Sequence, residues 1–194
     1  MTTIAAIATP NAPGGIAVIR ISGERAFEVA EKIFVPVGGK KVADMRGYTC
    51  AYGEAFDGEE RLDDCILTVF RAPHSFTGED TAEISCHGGI YVTRRILRAA
   101  LANGAVMAQA GEFTKRAFLN GKIDLTQAES VMDIISAKGE RELKMAENIR
   151  EGAAYKAVRK ISDRLMNMLG SLAAWTDYPD EDIPEVEPET MRTV

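Results

Sequence analysis

Gly111-Glu112-Phe113-Thr114-Lys115-Arg116-Ala117-Phe118-Leu119-Asn120-Gly121-Lys122-Ile123-Asp124-Leu125-Thr126-Gln127-Ala128-Glu129 divides the chain into two kinds of sequence. Before it, short strand-like runs alternate with helical ones; after it, almost every residue falls into a helical pattern. The stretch reads as two helix openings around an Asn120-Gly121 turn, with Lys122 at the corner. That reading predicts an α+β chain. A mixed β-sheet domain spans residues 1–118, the first part of an all-α domain spans 119–177, and an acidic linker spans 178–194.

Working outward toward the N-terminus, Thr2 to Thr9 is β-branched and alanine-rich and stops at Pro10. Ile16 to Ile21 is a mostly apolar run of strand length, which predicts a strand buried on both faces. Arg20 is its only charge. It either snorkels from a strand end or is buried and meets an acidic or anionic partner, because an unpaired buried guanidinium is costly. Ser22 is the expected N-cap of a helix whose apolar face is Ala26, Phe27, Ala30, Ile33 and Phe34. Asp57-Gly58-Glu59-Glu60 sits between two strand-like runs, Tyr48 to Phe56 and Leu62 to Phe70, and predicts a hairpin. A loop over 72–80 leads to a short strand, Thr81 to Cys86. His87-Gly88-Gly89 then turns into a helix from Ile90 to Asn103, and Ala105 to Ala110 is a weak strand. Gly-Gly-Ile occurs at 14–16 and again at 88–90, a repeat short enough to be coincidence.

Toward the C-terminus, Asp124 to Ala137 predicts a helix, capped by Asp124 or by a Thr126-x-x-Glu129 box. One long helix is expected from Arg141 to Thr176, with Ile161, Leu165, Met168, Leu172 and Trp175 along one stripe. At 1.5 Å per residue it would span roughly 50 Å, too long to bury that stripe without partner helices. An interface, or sequence beyond this chain, is implied. Residues 177–189 carry seven acids, three prolines and no base, the composition of an extended linker.

Hydrophobic residues make up 46% and charged residues 27% of the 194 positions, the balance of a soluble globular protein. No apolar run reaches the ~20 residues of a membrane span, and the N-terminus lacks a secretory signal pattern. Cys50, Cys65 and Cys86 form no Cys-x-x-Cys pair, which favours buried thiols in a reducing, cytoplasmic setting over disulfides or zinc. The net charge of −6 makes the whole chain a poor magnet for nucleic acid, so an RNA partner would be held largely elsewhere or by an assembly.

The motifs exclude as much as they suggest. Cys86 and His87 are neighbours on a strand and point to opposite faces, against a thiol–imidazole pair or a metal site. Ser75, Thr77 and Ser85 have no evident base, so no hydrolase triad is read. Neither Gly39-Lys40 nor Gly121-Lys122 belongs to a Gly-x-x-x-x-Gly-Lys-[Ser/Thr] loop, so this chain is not expected to bind GTP. Asn120-Gly121-Lys122-Ile123-Asp124 superficially resembles a guanine-specificity motif and is read as a decoy. What remains is Glu79, Asp80 and Glu83 after a Gly-containing loop. These are either solvated acids with one strand-edge carboxylate, or a site in which Glu83 accepts paired N–H donors of a planar heterocycle beside a Gly-rich turn. In the second case Arg20 and Lys122 would meet an anionic ligand group.

Thr3-Ile4-Ala5-Ala6-Ile7-Ala8-Thr9-Pro10, Gly14-Gly15-Ile16 and Ile19-Arg20-Ile21-Ser22-Gly23 resemble the N-terminus of the tRNA modification GTPases called MnmE or TrmE. So do Ser75-Phe76-Thr77-Gly78-Glu79-Asp80, Glu83 and His87-Gly88-Gly89, and most of all Gly111 to Glu129. Tyr178-Pro179-Asp180-Glu181 resembles a further family run. Gln109-Ala110 departs from the Arg-Pro of many relatives, changing a local loop and one positive charge. The resemblance implies a first domain similar to the folate-binding domain of glycine-cleavage aminomethyltransferases. Such a domain would bind 5-formyl- or 5,10-methylene-tetrahydrofolate through Arg20, Glu83 and Lys122, and would form a homodimer. It further implies a helical domain into which a GTPase domain, with its GTP, potassium and magnesium sites, is inserted beyond the acidic segment. A flavoprotein partner, MnmG or GidA, would bring FAD, and the assembly would modify C5 of wobble uridine in tRNA.

Three functions stand against one another at this stage. The first is a folate-binding, dimerising part of a tRNA-modifying GTPase, without GTPase activity of its own and without catalytic or metal-ligating residues in this chain. The second is a non-catalytic dimerisation scaffold with a degenerate folate pocket. The third is a stand-alone folate-dependent aminomethyl transferase, weakened by the lack of a catalytic base.

Overall fold

The computed structural model describes residues 1–177; the acidic stretch read as a linker lies outside them. In chain order the elements are β1 (Ile4–Ile7), β2 (Ile16–Ser22), α1 (Ala26–Ile33), β3 (Phe34–Pro36), a 3-10 turn (Val42–Asp44), β4 (Thr49–Asp57) and β5 (Glu60–Phe70). There follow β6 (Thr81–His87), α2 (Ile90–Ala102), β7 (Val106–Met107), α3 (Glu112–Leu119), α4 (Leu125–Ser136), α5 (Glu140–Arg150) and α6 (Ala153–Asp177). The chain forms two compact units, one over Met1–Ile123 and a second beginning at Asp124. This is the α+β organisation expected, and α3 with the Asn120-Gly121 turn belongs to the sheet unit.

The sheet has the order β3-β4-β5-β6-β2-β1-β7. All pairs are antiparallel except β1 with β7. Helices α1 and α2 pack on one face. Ile19, Ile21, Leu67, Val69 and Ile84 meet Val29, Ile33, Ile96 and Leu97 there, all buried. Each such side chain contributes about 1.5–3 kcal/mol by leaving water. The expectation that β2 is buried on both faces fails: Ala17, Ile19 and Ile21 are buried, Val18 and Arg20 are half-buried, and Ile16 is exposed. The strand alternates because the helices of this unit cover one side of the sheet.

The hairpin forms as expected, with Asp57 opposite Glu60 and Gly58 at φ +65° in the two-residue turn. Ser22 does not cap α1. It ends β2, its hydroxyl engaged with Thr77 and Glu79, while the Thr3 hydroxyl accepts from the Arg25 N–H (2.9 Å) at the helix start. Phe34, which falls at helical spacing, instead opens β3. The two Gly-Gly-Ile segments meet: the Gly14 N–H donates to the Gly88 carbonyl (3.0 Å) and the Gly88 N–H to the Gly15 carbonyl (3.4 Å). Cys65 and Cys86 are buried, but Cys50 is exposed, against the expectation of three buried thiols, because its side chain projects from the sheet face opposite the helices.

In the second unit Asp124 caps α4, its carboxylate accepting from the Gln127 N–H (2.8 Å) while the Gln127 side chain accepts from the Asp124 N–H (2.9 Å). The single long helix expected from Arg141 is two helices, broken at Glu151-Gly152. Gly152 sits at φ +70°, in the left-handed region that ends a helix. Along α6, Ile161, Leu165 and Trp175 are about half exposed. No helix among the described residues is long and apolar enough to cross a membrane.

Candidate functional site

Arg20 on β2 and Glu83 on β6 are directly opposite in the antiparallel register. The Arg20 Nε donates to Glu83 Oε1 at 2.6 Å, and the guanidinium lies 5.5 Å from the centre of the Phe113 ring on α3. Of the two fates read for Arg20, the structure shows the acidic partner, in mid-strand. Both side chains are half-buried, on the sheet face opposite α1 and α2. The terminal guanidinium nitrogens and Glu83 Oε2 have no hydrogen-bond partner among the described residues. The pair is therefore oriented and still has unused bonding capacity.

Lys122 is held differently. Its Nζ donates to the Pro73 carbonyl (2.9 Å), and its stem runs across Gly78, where an added Cβ would lie 3.1 Å from Lys122 Cγ. Asn120 Nδ2 donates to the Thr77 carbonyl (2.7 Å), so the turn after α3 grips the loop over 72–80 twice. The structure thus brings Arg20 and Glu83 into contact and ties Lys122 to the loop, with no hydrogen bond between Lys122 and that pair.

Beneath that loop lies a network that the sequence reading missed. Arg116 on α3 is only 5% exposed. Its Nη1 donates to the Thr2 carbonyl (2.7 Å) and to both Glu79 oxygens (3.1 and 3.2 Å), and its Nη2 donates to Glu112 Oε1 (2.9 Å). The Ser22 hydroxyl donates to Glu79 Oε2 (2.9 Å) and lies 2.8 Å from the Thr77 hydroxyl. The Gln109 N–H, and secondarily Arg116, hold the Glu112 carboxyl below its ordinary value. Because the backbone makes that bond, the identity of the 109 side chain does not enter it. The one signal in the sequence was Glu112-x-x-x-Arg116, a spacing that puts both on one helix face.

His87 is exposed and paired with Asp63 through Nδ1 (2.7 Å), and the bond to that carboxylate raises the imidazole pKa. Cys86 turns the other way, and burial raises its thiol pKa; burial also pushes Cys65 up to about 12. These thiols are not nucleophiles. No group of three His, Cys, Asp or Glu side chains able to hold a metal ion occurs among the described residues. What the site displays is hydrogen-bonding capacity and charge.

A sheet that displays a half-buried ion pair on one face, followed in the chain by a separate helical unit, defines a two-part α+β protein. Residues 3–122 match the family model described as the GTP-binding protein TrmE N-terminus, and residues 125–194 match that of the MnmE helical domain. The chain belongs to the MnmE (TrmE) family. It is 44% identical over 190 residues to a protein of Clostridioides difficile strain 630 named tRNA modification GTPase MnmE, covering 98% of this chain and 41% of that one. Proteins of the same name from Alkaliphilus metalliredigens and Symbiobacterium thermophilum are each 46% identical, covering 95% and 99% of this chain and 40% and 42% of their own lengths. The chain spans about two fifths of the length of these relatives.

Proposed function

We propose that this chain is the folate-binding, dimerising N-terminal part of a tRNA modification GTPase. In the intact protein, GTP, potassium and magnesium would bind in a separate GTPase domain. A flavoprotein partner of the MnmG (GidA) type would supply FAD. Together they would build the 5-carboxymethylaminomethyl-type group on wobble uridine, in the cytoplasm.

One observation carries the folate assignment: the Arg20–Glu83 pair, oriented by the sheet and not saturated by it. A carboxylate has about four lone-pair positions, so one bond from Arg20 leaves room for two N–H donors of a pterin edge. The free guanidinium nitrogens would face ligand oxygens. Lys122, released from Pro73, would reach the ligand's carboxylate end. Exchanging a backbone carbonyl for a carboxylate strengthens that bond, since both partners are then charged.

The 2.6 Å contact also favours the runner-up, a scaffold in which Arg20 and Glu83 merely satisfy each other. Calorimetric titration of 5-formyltetrahydrofolate separates the two. The folate reading expects binding heat that Glu83→Ala abolishes while the sheet stays folded. Absence of heat with the unaltered chain would leave the scaffold.

A further inference from the structure

We propose that a cleft at the β3–β4 edge of the sheet seats one unpaired nucleotide of the RNA on which the intact protein works. The cleft has a volume of about 740 Å3, within the ~300–1,000 Å3 usual for ligand sites. The Val37 N–H donates to the Tyr52 carbonyl (3.0 Å), so the two side chains stand side by side as one apolar shelf, and Met45 also lines the cleft. Val37 is 71% and Tyr52 58% exposed. Lys40 and Arg46 stand at the rim with a single acid, Asp44, and none of these three side chains has a hydrogen-bond or ion-pair partner among the described residues. The Thr49 hydroxyl fixes the Arg46 carbonyl (2.6 Å), and a 3-10 turn fixes Asp44 and Met45.

An exposed aromatic ring with two idle cations is the combination that holds single-stranded nucleic acid, the base stacking on the ring and the phosphates meeting the cations. Duplex RNA does not suit it, because the shelf is reached only by a base that has left its stack. The local charge decides against a cationic peptide. Counting acids against bases, residues 1–123 carry fourteen of each and are neutral as a whole, whereas residues 36–52 carry Lys40, Lys41 and Arg46 against Asp44 alone, and the two carboxylates near the Tyr52 hydroxyl, Asp64 and Glu54, are both paired with Arg61. One such subsite agrees with a chain whose overall charge leaves most RNA contact to other parts of an assembly.

The proposal rests on the reading that the intact protein acts on tRNA, and the two can fail separately. A strain lacking the gene that still carries the wobble-uridine modification would sink the reading, whatever the cleft does. The cleft is tested with the 194-residue chain and a fluorescein-labelled decauridylate, by anisotropy at several salt concentrations. Two neutralised phosphates predict a log–log salt slope of about −1.4 for a single strand. Tyr52→Ala should weaken binding about 5- to 150-fold, the range for loss of one stacked base, and Tyr52→Phe should restore it. Lys40→Gln with Arg46→Gln should bring the slope toward zero. A decauridylate carrying 4-thiouridine should photo-crosslink to the tryptic peptide 47–61. The proposal is overturned by no anisotropy change up to about 0.1 mM protein at low salt, where non-specific binding alone begins to register. It is equally overturned by variants that bind as the parent does, or by crosslinks elsewhere. Variants that bind RNA normally but no longer retain the flavoprotein partner would assign the cleft to a protein and overturn it too. All variants lie at exposed positions, and circular dichroism verifies their fold.

Discussion

Arg116 shows how one buried side chain can organise a domain whose displayed site lies elsewhere. It neutralises Glu79 and Glu112, and its bond to the Thr2 carbonyl ties α3 to the start of the sheet. Removing it leaves two part-buried carboxylates without a cation, and breaking a buried pair costs up to about 3–5 kcal/mol. Arg116→Ala is therefore expected to lower the stability of the first unit by that amount, read from the urea midpoint. Arg116→Met combined with Glu79→Gln should recover part of the loss, since the charge and its partner leave together. A midpoint unchanged in Arg116→Ala would show that the network is solvated in solution. Arg20, Glu83 and Lys122 were legible as residues because each is a charge at an unusual place: a lone arginine in an apolar strand, an acid before a Gly-Gly turn, a lysine after Asn-Gly. Arg116 was not, because its partners Glu79 and Thr2 lie 37 and 114 residues away. Only folding makes them neighbours.

At the scale of elements, what the sequence revealed was what local chemistry dictates. The Asp57-Gly58 hairpin, helix α2 ending at Asn103-Gly104 and the start of α4 each carry their own turn or cap residues. β3 was hidden because Phe34 continues the helical spacing of α1 by one step. The break between α5 and α6 was hidden because apolar periodicity persists on both sides of Gly152, and a single glycine is tolerated in many helices. The choice between two caps for α4 went to Asp124, and that has a testable consequence. Its carboxyl is held below its ordinary value, first by the Thr126 hydroxyl and then, with burial opposing, by the Gln127 and Thr126 backbone N–H groups. A folded value depressed in this way stabilises above the unfolded pKa near 3.9 and loses that stabilisation as pH falls through the folded value. Asp124→Ala should cost about 1 kcal/mol near neutral pH, and the difference from the parent should vanish in acid. Helicity at 222 nm followed through denaturant at pH 7 and pH 2.5 tests this; a pH-independent difference would mean that the cap acts through something other than its charge.

For the whole molecule, charge and apolar surface are divided between the two units. Residues 1–123 are neutral, so the net −6 belongs to residues 124–194, which carry nine bases and fifteen acids. Two neutral sheet units can approach each other without long-range repulsion, whereas the acidic halves repel at low salt. The first unit offers exposed Ile16 and half-buried Val18 on β2, beside the Arg20–Glu83 pair. The second offers the apolar stripe of α6, and the two surfaces make opposite predictions about self-association. If the sheet unit dimerises, light scattering at micromolar concentration should give twice 21.1 kDa. Ile16→Glu should then return the chain to monomer, and Leu165→Glu should leave the dimer intact. Raising the salt should tighten the dimer modestly by screening the acidic halves. Dissociation by Leu165→Glu, with Ile16→Glu silent, would move the interface to the helices and overturn dimerisation through the sheet.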